Sequence, residues 1–299
     1  MRAAPMPRPG APTLRGHEAV ALAAMAWACA AVAAGVLDER AQMALATLVV
    51  SASLPHGAAD LPVARALLAP RLGSGWLPVF IGSYLALAGA VLLFWWAAPA
   101  AALAGFLAVA AVHFGLTDAR EGEPALTAVV ARGGAPLVVP ALAHPNTLAE
   151  LFLILAGDGG AALVDWLRGP LALAWLMAVL WTLRTSGRPA AELLLVCAAF
   201  ALLPPLLAFA LYFGLLHAPR ALREAATRMR IGIPALLRAS AAPTAAALAM
   251  LVGGYAALRS GLGPTDAVLS AMFIGLAALT APHMALELLI AKASRRSDR

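Results

Sequence analysis

The sequence predicts an all-α protein, a polytopic transmembrane helical bundle of about 8–10 helices. Of its 299 residues, 63% are hydrophobic and only 12% are charged, and the mean hydropathy is +0.86. A soluble globular domain is roughly half apolar and about a quarter charged, so a soluble enzyme is excluded. Disorder is excluded as well, because it requires low hydrophobicity and high net charge.

Apolar runs along the chain give the predicted helices, since a spanning helix takes about 20 residues. The runs are 19–37, 42–64, 76–97, 98–117, 125–142, 163–183, 190–216, 243–258 and 265–291. Pro204 and Pro205 interrupt one of them. Because proline lacks a backbone donor, we expect either two helices there or one broken helix that lines a cavity. Residues 143–160 form the one longer polar break that the sequence predicts.

The chain is expected to be one membrane-embedded domain over 19–292, with a cytoplasmic tail at 1–18 and a basic tail at 293–299. Its arginines lie in short gaps between apolar runs, which indicates orientation by cytoplasmic positive charge rather than nucleic-acid binding. We therefore expect a multi-pass protein of the cell (inner or plasma) membrane with both termini cytoplasmic. Its two cysteines make no disulfide framework and lack the spacing of a metal site.

Histidines carry the functional signal. Four of the six lie near the ends of separate apolar runs, namely His56, His113, His217 and His283. An ionisable residue within a membrane span is costly and normally faces the bundle interior, so it indicates a functional site. Imidazole is a ligand for iron, copper, zinc and nickel. The sequence therefore predicts a histidine metal site inside the bundle.

Carboxylates and aromatic residues accompany these histidines. Asp60 follows His56 by four residues and Glu287 follows His283 by four, so each pair would share a helix face. A carboxylate in that place can fix the tautomer of a ligating histidine. Asp118 follows His113 less regularly, by five residues. The aromatic residues that flank His113 and His217 are expected to contact an apolar substrate; they are Phe114, Tyr212 and Phe213.

Four ordered motifs together resemble the Brp/Blh family of membrane-embedded β-carotene 15,15′-dioxygenases, from about residue 42 to 290. They are His-Gly-Ala-Ala-Asp at 56–60, His-Phe-Gly-Leu-Thr-Asp at 113–118, His-x-x-Arg at 217–220 and Pro-His-Met at 282–284. The resemblance implies an Fe(2+) cofactor, dioxygen, and cleavage of the central double bond of β-carotene to two retinals. The retinal would then be delivered to a rhodopsin, and the lipid bilayer would surround both protein and substrate.

The resemblance also implies roles for residues. The catalytic metal ligands would be His56, His113, His217 and His283. Asp60, Asp118, Glu287 and Arg220 would surround them. Arg220 itself is either an ordinary interfacial arginine or the partner of a carboxylate beside the site. The third motif of the family continues to a second histidine where this chain has Ala221, and His283 could fill that place in the coordination sphere.

Other functions remain open on the sequence alone. A non-enzymatic retinoid or carotenoid carrier, or an inactive homologue, would have the same apolar composition. A bis-histidine haem membrane protein would also place histidines on several helices. A di-iron membrane hydroxylase or desaturase is disfavoured, because the chain has none of the dense H-x-x-x-H clusters of that class.

Overall fold

A computed structural model of the chain describes residues 16–120, 123–185 and 187–297. All regular elements within these ranges are helical. The first six helices are α1 Gly16–Ala33, α2 Glu39–Ser53, α3 Pro55–Ala58, α4 Asp60–Leu72, α5 Trp76–Ala97 and α6 Pro99–Thr117. The next six are α7 Ala125–Ala128, α8 Gly134–Ala143, α9 Pro145–Ala161, α10 Leu163–Arg168, α11 Pro170–Thr185 and α12 Gly187–Leu202. The last five are α13 Pro205–Leu211, α14 Ala218–Met229, α15 Ile233–Ala239, α16 Ala241–Leu258 and α17 Pro264–Ser297.

Seven helical stretches of the described chain are long and apolar enough to cross a membrane. They are Glu39–Ala97, Pro99–Thr117, Ala125–Ala143, Leu163–Thr185, Pro205–Met229, Ala241–Leu258 and Pro264–Ala293, and two shorter apolar helices cover Glu18–Ala33 and Ala190–Leu202. Every predicted apolar run therefore overlaps one or more helices. The predicted fold class, an all-α polytopic bundle, is confirmed, and the chain is a multi-pass membrane protein.

The two predicted breaks have different structures. The helix interruption at Pro204 and Pro205 is confirmed, since α12 ends at Leu202 and α13 begins at Pro205. The polar break at 143–160 is not one of the stretches that are long and apolar enough to span a membrane, but most of it forms α9, which is helical apart from a bend at Ala156 and Gly157. Three apolar residues at helical spacing explain the difference, since they are buried against the bundle; they are Leu148, Phe152 and Leu155.

The two ends of the chain extend the helices beyond the predicted domain. Helix α1 begins at Gly16, within the predicted tail, and α17 continues to Ser297. The rest of the predicted tails, residues 1–15 and 298–299, lies outside the described residues, as does the side chain of His17.

Two π-helical segments interrupt the regular helices next to the centre of the bundle. Val129–Gly133 joins α7 to α8, and Tyr212–His217 joins α13 to α14. A π turn has an extra residue, so it changes the direction of the side chains that follow, and such turns are frequent at functional sites. The second segment and α13 are largely buried in the main hydrophobic core, which fixes the direction of His217.

Helix α6 packs on the first π segment at backbone distance. A Cβ atom added to Gly115 would lie 2.3 Å from the Cα of Val129, and one added to Gly133 would lie 1.8 Å from the carbonyl oxygen of Ala111. Only glycine allows this approach. Gly115 thus serves helix packing, and it holds the end of α6, which carries His113, against the interior.

Candidate metal centre

Four helical segments bring the four histidines together. His56 lies on the short helix α3, His113 near the end of α6, His217 at the end of the second π segment, and His283 in α17 directly after Pro282. His113, His217 and His283 are buried, and His56 is half-buried. Their side chains meet at one level of the bundle although they are far apart in sequence.

Three of the imidazoles converge on one point. Ring nitrogens of His56, His113 and His217 all lie within 4.8 Å of one another. The Nε2 atoms of His113 and His217 are 3.0 Å apart. This separation suits two neighbouring ligands of one ion, since imidazole–metal bonds are about 2.0–2.1 Å long. Two neutral imidazoles that meet nitrogen to nitrogen must otherwise share a proton, so the cluster fits a bound cation.

The outer ring nitrogens already face acceptors. Nδ1 of His56 lies 2.6 Å from the carbonyl oxygen of Ser53, and Nδ1 of His217 lies 3.8 Å from Oδ1 of Asp118. A carbonyl oxygen can only accept, so Nδ1 of His56 carries the proton and its Nε2 keeps a free lone pair. This is the usual orientation of a metal-ligating histidine.

His283 lies beside the group of three. Its ring centroid is 4.9 Å from that of His113 and 6.1 Å from that of His56. Its Nδ1 is 2.7 Å from Oδ1 of Asp60. With Nδ1 bonded to a carboxylate, Nε2 is the nitrogen available to the cluster.

The pairing expected between histidines and carboxylates four residues apart is wrong for His56 with Asp60, whereas Glu287 follows His283 on the same helix, α17. Helix α3 ends at Ala58, so His56 and Asp60 belong to different helices and share no face. Asp60 instead bonds to His283 and accepts from the hydroxyl of Tyr84 at 3.3 Å. Glu287 pairs with Arg228 at 3.0 Å.

Asp118 likewise turns towards His217 rather than His113. It ends helix α6, where it accepts a hydrogen bond from the hydroxyl of Tyr212 and lies 3.3 Å from Nη1 of Arg220. Tyr212 is therefore a partner of this carboxylate and does not line the cavity described below. Arg220 is the partner of a carboxylate beside the site, and it is not an interfacial arginine.

Arg220 belongs to a buried network of ion pairs. Its Nε lies 2.9 Å from Glu18 and its Nη2 lies 3.1 Å from Glu192. Arg120 bonds to both of these glutamates. Arg132 continues the network, and its Nε and Nη2 each lie 2.7 Å from a carboxylate oxygen of Glu123. Buried charges require such partners, so the network locks the ends of α1, α6 and α12 together around Asp118.

Sequence reasoning missed this network. Glu18 lies in the predicted N-terminal tail, and Glu192 lies within the predicted apolar run 190–216. The available signal was an acidic residue within an apolar helix, which must find a cation or leave the membrane. Glu123 lies outside the spanning helices. Burial raises the pKa of its carboxyl group, but the hydrogen bonds from the side chain of Arg132 and the backbone N–H of Arg120, together with the charges of both arginines, outweigh burial and hold that pKa below its usual value.

Ala221 stands where the third motif lacks a histidine. It borders a small polar cavity of about 40 Å³. His56, His113 and His283 line one part of this cavity, together with Asp60. Glu224, Arg228 and Glu287 line another part, and the side chain of Glu224 is 53% exposed. The histidine cluster therefore has a polar side that reaches towards the protein surface.

A much larger apolar cavity of about 520 Å³ adjoins the same histidines. Phe114 and Phe213 line it, as predicted, and Phe209 and Phe106 extend the aromatic wall. The rings of Phe213 and His217 are stacked, with centroids 5.8 Å apart. Gly57 also faces this cavity, and no atom lies within 4 Å of a Cβ built on it. Apolar side chains of α5, α16 and α17 complete the lining.

Fold and site define a multi-pass helical membrane protein with a buried histidine cluster at one end of an apolar cavity. A family model described as "Beta-carotene 15,15'-dioxygenase" matches residues 47–290. The chain belongs to this family.

Two curated relatives agree. A protein named "Beta-carotene 15,15'-dioxygenase" from an uncultured marine bacterium is 34% identical over 182 residues, which are 58% of this chain and 65% of the relative. A protein named "Probable beta-carotene 15,15'-dioxygenase Blh" from Halobacterium salinarum is 28% identical over 250 residues, which are 70% of this chain and 71% of the relative. The chain thus spans slightly less than two thirds of the first relative's length. No solved structure matches it.

Proposed function

We propose that this protein is an Fe(2+)- and dioxygen-dependent enzyme that cleaves β-carotene, or a related carotenoid, at its central double bond to give retinal. The observation that carries the proposal is the convergence of His56, His113 and His217 at the end of a large apolar cavity. Family membership and the names of the two relatives support the reaction and the substrate class.

The proposed metal site consists of His56, His113, His217 and His283. Ring nitrogens of the first three already converge. His283 takes the place of the histidine that the family motif has where this chain has Ala221. The four imidazoles carry no negative charge, and iron bound there would supply the activation of dioxygen. Ser53 and Asp60 bond to the outer nitrogens of His56 and His283, so the inner nitrogens of these two rings stay directed at the metal.

Apolar side chains of the cavity would hold the substrate. Phe114 and Phe213 line the cavity beside His217, where their rings would contact a conjugated chain. Most other side chains that line the cavity are aliphatic or aromatic, and they exclude water from the polyene. The chain's own residues thus position the polyene beside the histidines.

The geometry favours this function over the two alternatives. A bis-histidine haem needs two imidazoles on opposite faces of a ring, whereas three imidazoles here meet at one point. A carrier needs a cavity but has no use for converging imidazoles. Formation of a cleavage product therefore distinguishes the enzyme from a carrier.

We also propose the cellular setting. A single membrane domain over 19–292, in the inner or plasma membrane with both termini cytoplasmic, follows from the basic segments at the ends of the chain. A retinal product released there would be available to a rhodopsin in the same bilayer.

Expression in a bacterial host that accumulates β-carotene tests the proposal. We expect bleaching of the cells and formation of retinal, detected by chromatography of extracted pigments. A variant with His113→Ala should leave the cells coloured, and His144→Ala is the control, because His144 precedes α9 and lies outside the cluster. Unchanged colour with well-expressed, iron-loaded protein would instead identify a carrier or an inactive homologue.

A further inference from the structure

We infer that the carotenoid enters the site sideways from the bilayer, through a mouth between α5 and α16. This inference rests on the proposed function and adds the substrate's route to it. The mouth is defined by residues that both line the large cavity and lie on the outer surface. They are Ile81 and Leu85 on α5, and Ala242 and Ala246 on α16.

Exposure locates the opening. Leu85 is 65% exposed and Ile81 is 41% exposed, although both border the cavity that contains the histidines. Ala242 and Ala246 on α16 are exposed as well and border the same cavity. A side chain with one face in a cavity and another on the surface marks the edge of an opening. The four residues therefore mark the edge of this opening.

The opening faces lipid rather than water. Helix α5 belongs to the apolar stretch Glu39–Ala97, and α16 is the apolar stretch Ala241–Leu258. None of the residues of α16 is buried in the protein, and its larger apolar side chains Leu248 and Val252 are exposed. Such a helix is stable only if its outer face lies in hydrocarbon. A mouth beside it therefore opens within the bilayer.

Small residues on α16 keep the mouth open. Its cavity side consists of Ala242, Pro243, Ala246 and Ala247 before the first long side chain, that of Met250. Farther along, α16 is fixed to α17, because Leu251 packs where Gly275 has no side chain, 2.3 Å from the position of a Cβ. Helix α5 also packs on α17. Helix α17 thus forms the floor of a cleft whose walls stand apart near the alanines.

The chemistry of the cavity fits a hydrocarbon chain. Its polar side chains gather at the histidine end, where the hydroxyl of Tyr84 donates to Asp60. Thr280 is the exception, and its hydroxyl donates to the backbone carbonyl of Leu276. From Leu276 to His283 the lining of α17 spans eight residues, a rise of roughly 10 Å along the helix. Along that length a polyene meets mostly apolar side chains. The central double bond can reach the histidines while one half of the substrate lies in the cavity towards the mouth.

Tryptophan substitutions at the mouth test the route, because an indole would fill the gap between the two helices. Ala246→Trp and Ala242→Trp are compared with Ala245→Trp, which lies on the same exposed helix but does not border the cavity. Each is made in a cleavage-deficient His113→Ala chain and expressed in the β-carotene-accumulating host. The carotenoid that copurifies with each polypeptide is then measured, so the result does not depend on activity.

We expect severalfold less bound carotenoid in the Ala246→Trp and Ala242→Trp chains, and an unchanged amount in the Ala245→Trp chain. In the otherwise unsubstituted enzyme, the same two tryptophans should slow retinal formation most at low carotenoid content of the membrane. Equal carotenoid in all three chains would overturn the lateral mouth and leave the proposed function intact. A parent chain that binds no carotenoid would overturn both.

Discussion

Asp60 accepts a hydrogen bond at 2.7 Å from Nδ1 of His283, a residue 223 positions later in the chain. The contact joins α4 to α17, two helices far apart in the sequence, beside the histidine cluster. It orients His283 in the way a carboxylate orients a metal ligand. The same carboxylate accepts from Tyr84 on α5, which helps to hold the side of the cavity nearest the mouth.

If His283 replaces the histidine missing at Ala221, the two positions should substitute for each other. We expect His283→Ala to lower the iron content of purified protein, measured by mass spectrometry of the metal. Ala221→His added to that variant should restore iron, because position 221 borders the same small cavity as His56, His113 and His283. Leu289→Ala, at an exposed site on the same helix, is the control and should keep its iron. Full iron content in the His283→Ala protein would contradict the assignment.

The buried ion pairs should contribute strongly to stability. We expect Glu18→Gln to lower the free energy of unfolding by about 1–3 kcal/mol, because Arg220 and Arg120 lose a charged acceptor where water cannot replace it. Thermal unfolding in detergent measures the change. The matched substitution Glu39→Gln, at an exposed helix start, should have little effect. Equal melting temperatures for the two variants would argue against the network.

Close packing of α6 makes a second stability prediction. Gly115→Ala should lower the free energy of unfolding by about 1–3 kcal/mol, because its methyl group would overlap the backbone of Val129. Gly105→Ala lies on the same helix with nothing within 4 Å of the new Cβ. This control should be neutral or slightly stabilising, since alanine favours helix. Thermal unfolding of both variants measures the difference. An unchanged melting temperature for Gly115→Ala would show that α6 and the segment Val129–Gly133 can move apart without loss of stability.

The apolar lining predicts a preference among carotenoids. A β-carotene derivative with a hydroxyl group on each ring would bury a hydroxyl without a partner, which costs about 1–3 kcal/mol. Because about 1.4 kcal/mol corresponds to a factor of ten, we expect roughly tenfold or more discrimination in kcat/KM against it. Competition between the two substrates in vesicles, followed by product analysis, measures the ratio. Equal consumption would indicate that the rings lie outside the apolar cavity.

The fold class and the histidines were accessible from sequence because both depend on local composition. A run of apolar residues must become a helix in hydrocarbon, where every backbone group needs an internal partner. A histidine at the end of such a run is costly in free energy, so its presence alone indicates a function. This argument applies separately to each of His56, His113, His217 and His283. The interruption at Pro204 and Pro205 was equally local, since proline acts on its own helix.

The partner of each buried carboxylate depends on the tertiary structure. Spacing placed Asp60 with His56, but the chain turns between α3 and α4 and sends the carboxylate to His283. Glu18 lies in the predicted N-terminal tail, yet it accepts a hydrogen bond from Arg220, about two hundred residues away. Sequence spacing describes neighbours on one helix, whereas these contacts depend on where helices cross and how far each is rotated. The sequence by itself determined an apolar bundle with membrane histidines; helix packing alone decided which carboxylate serves which imidazole and where the cavity meets the lipid.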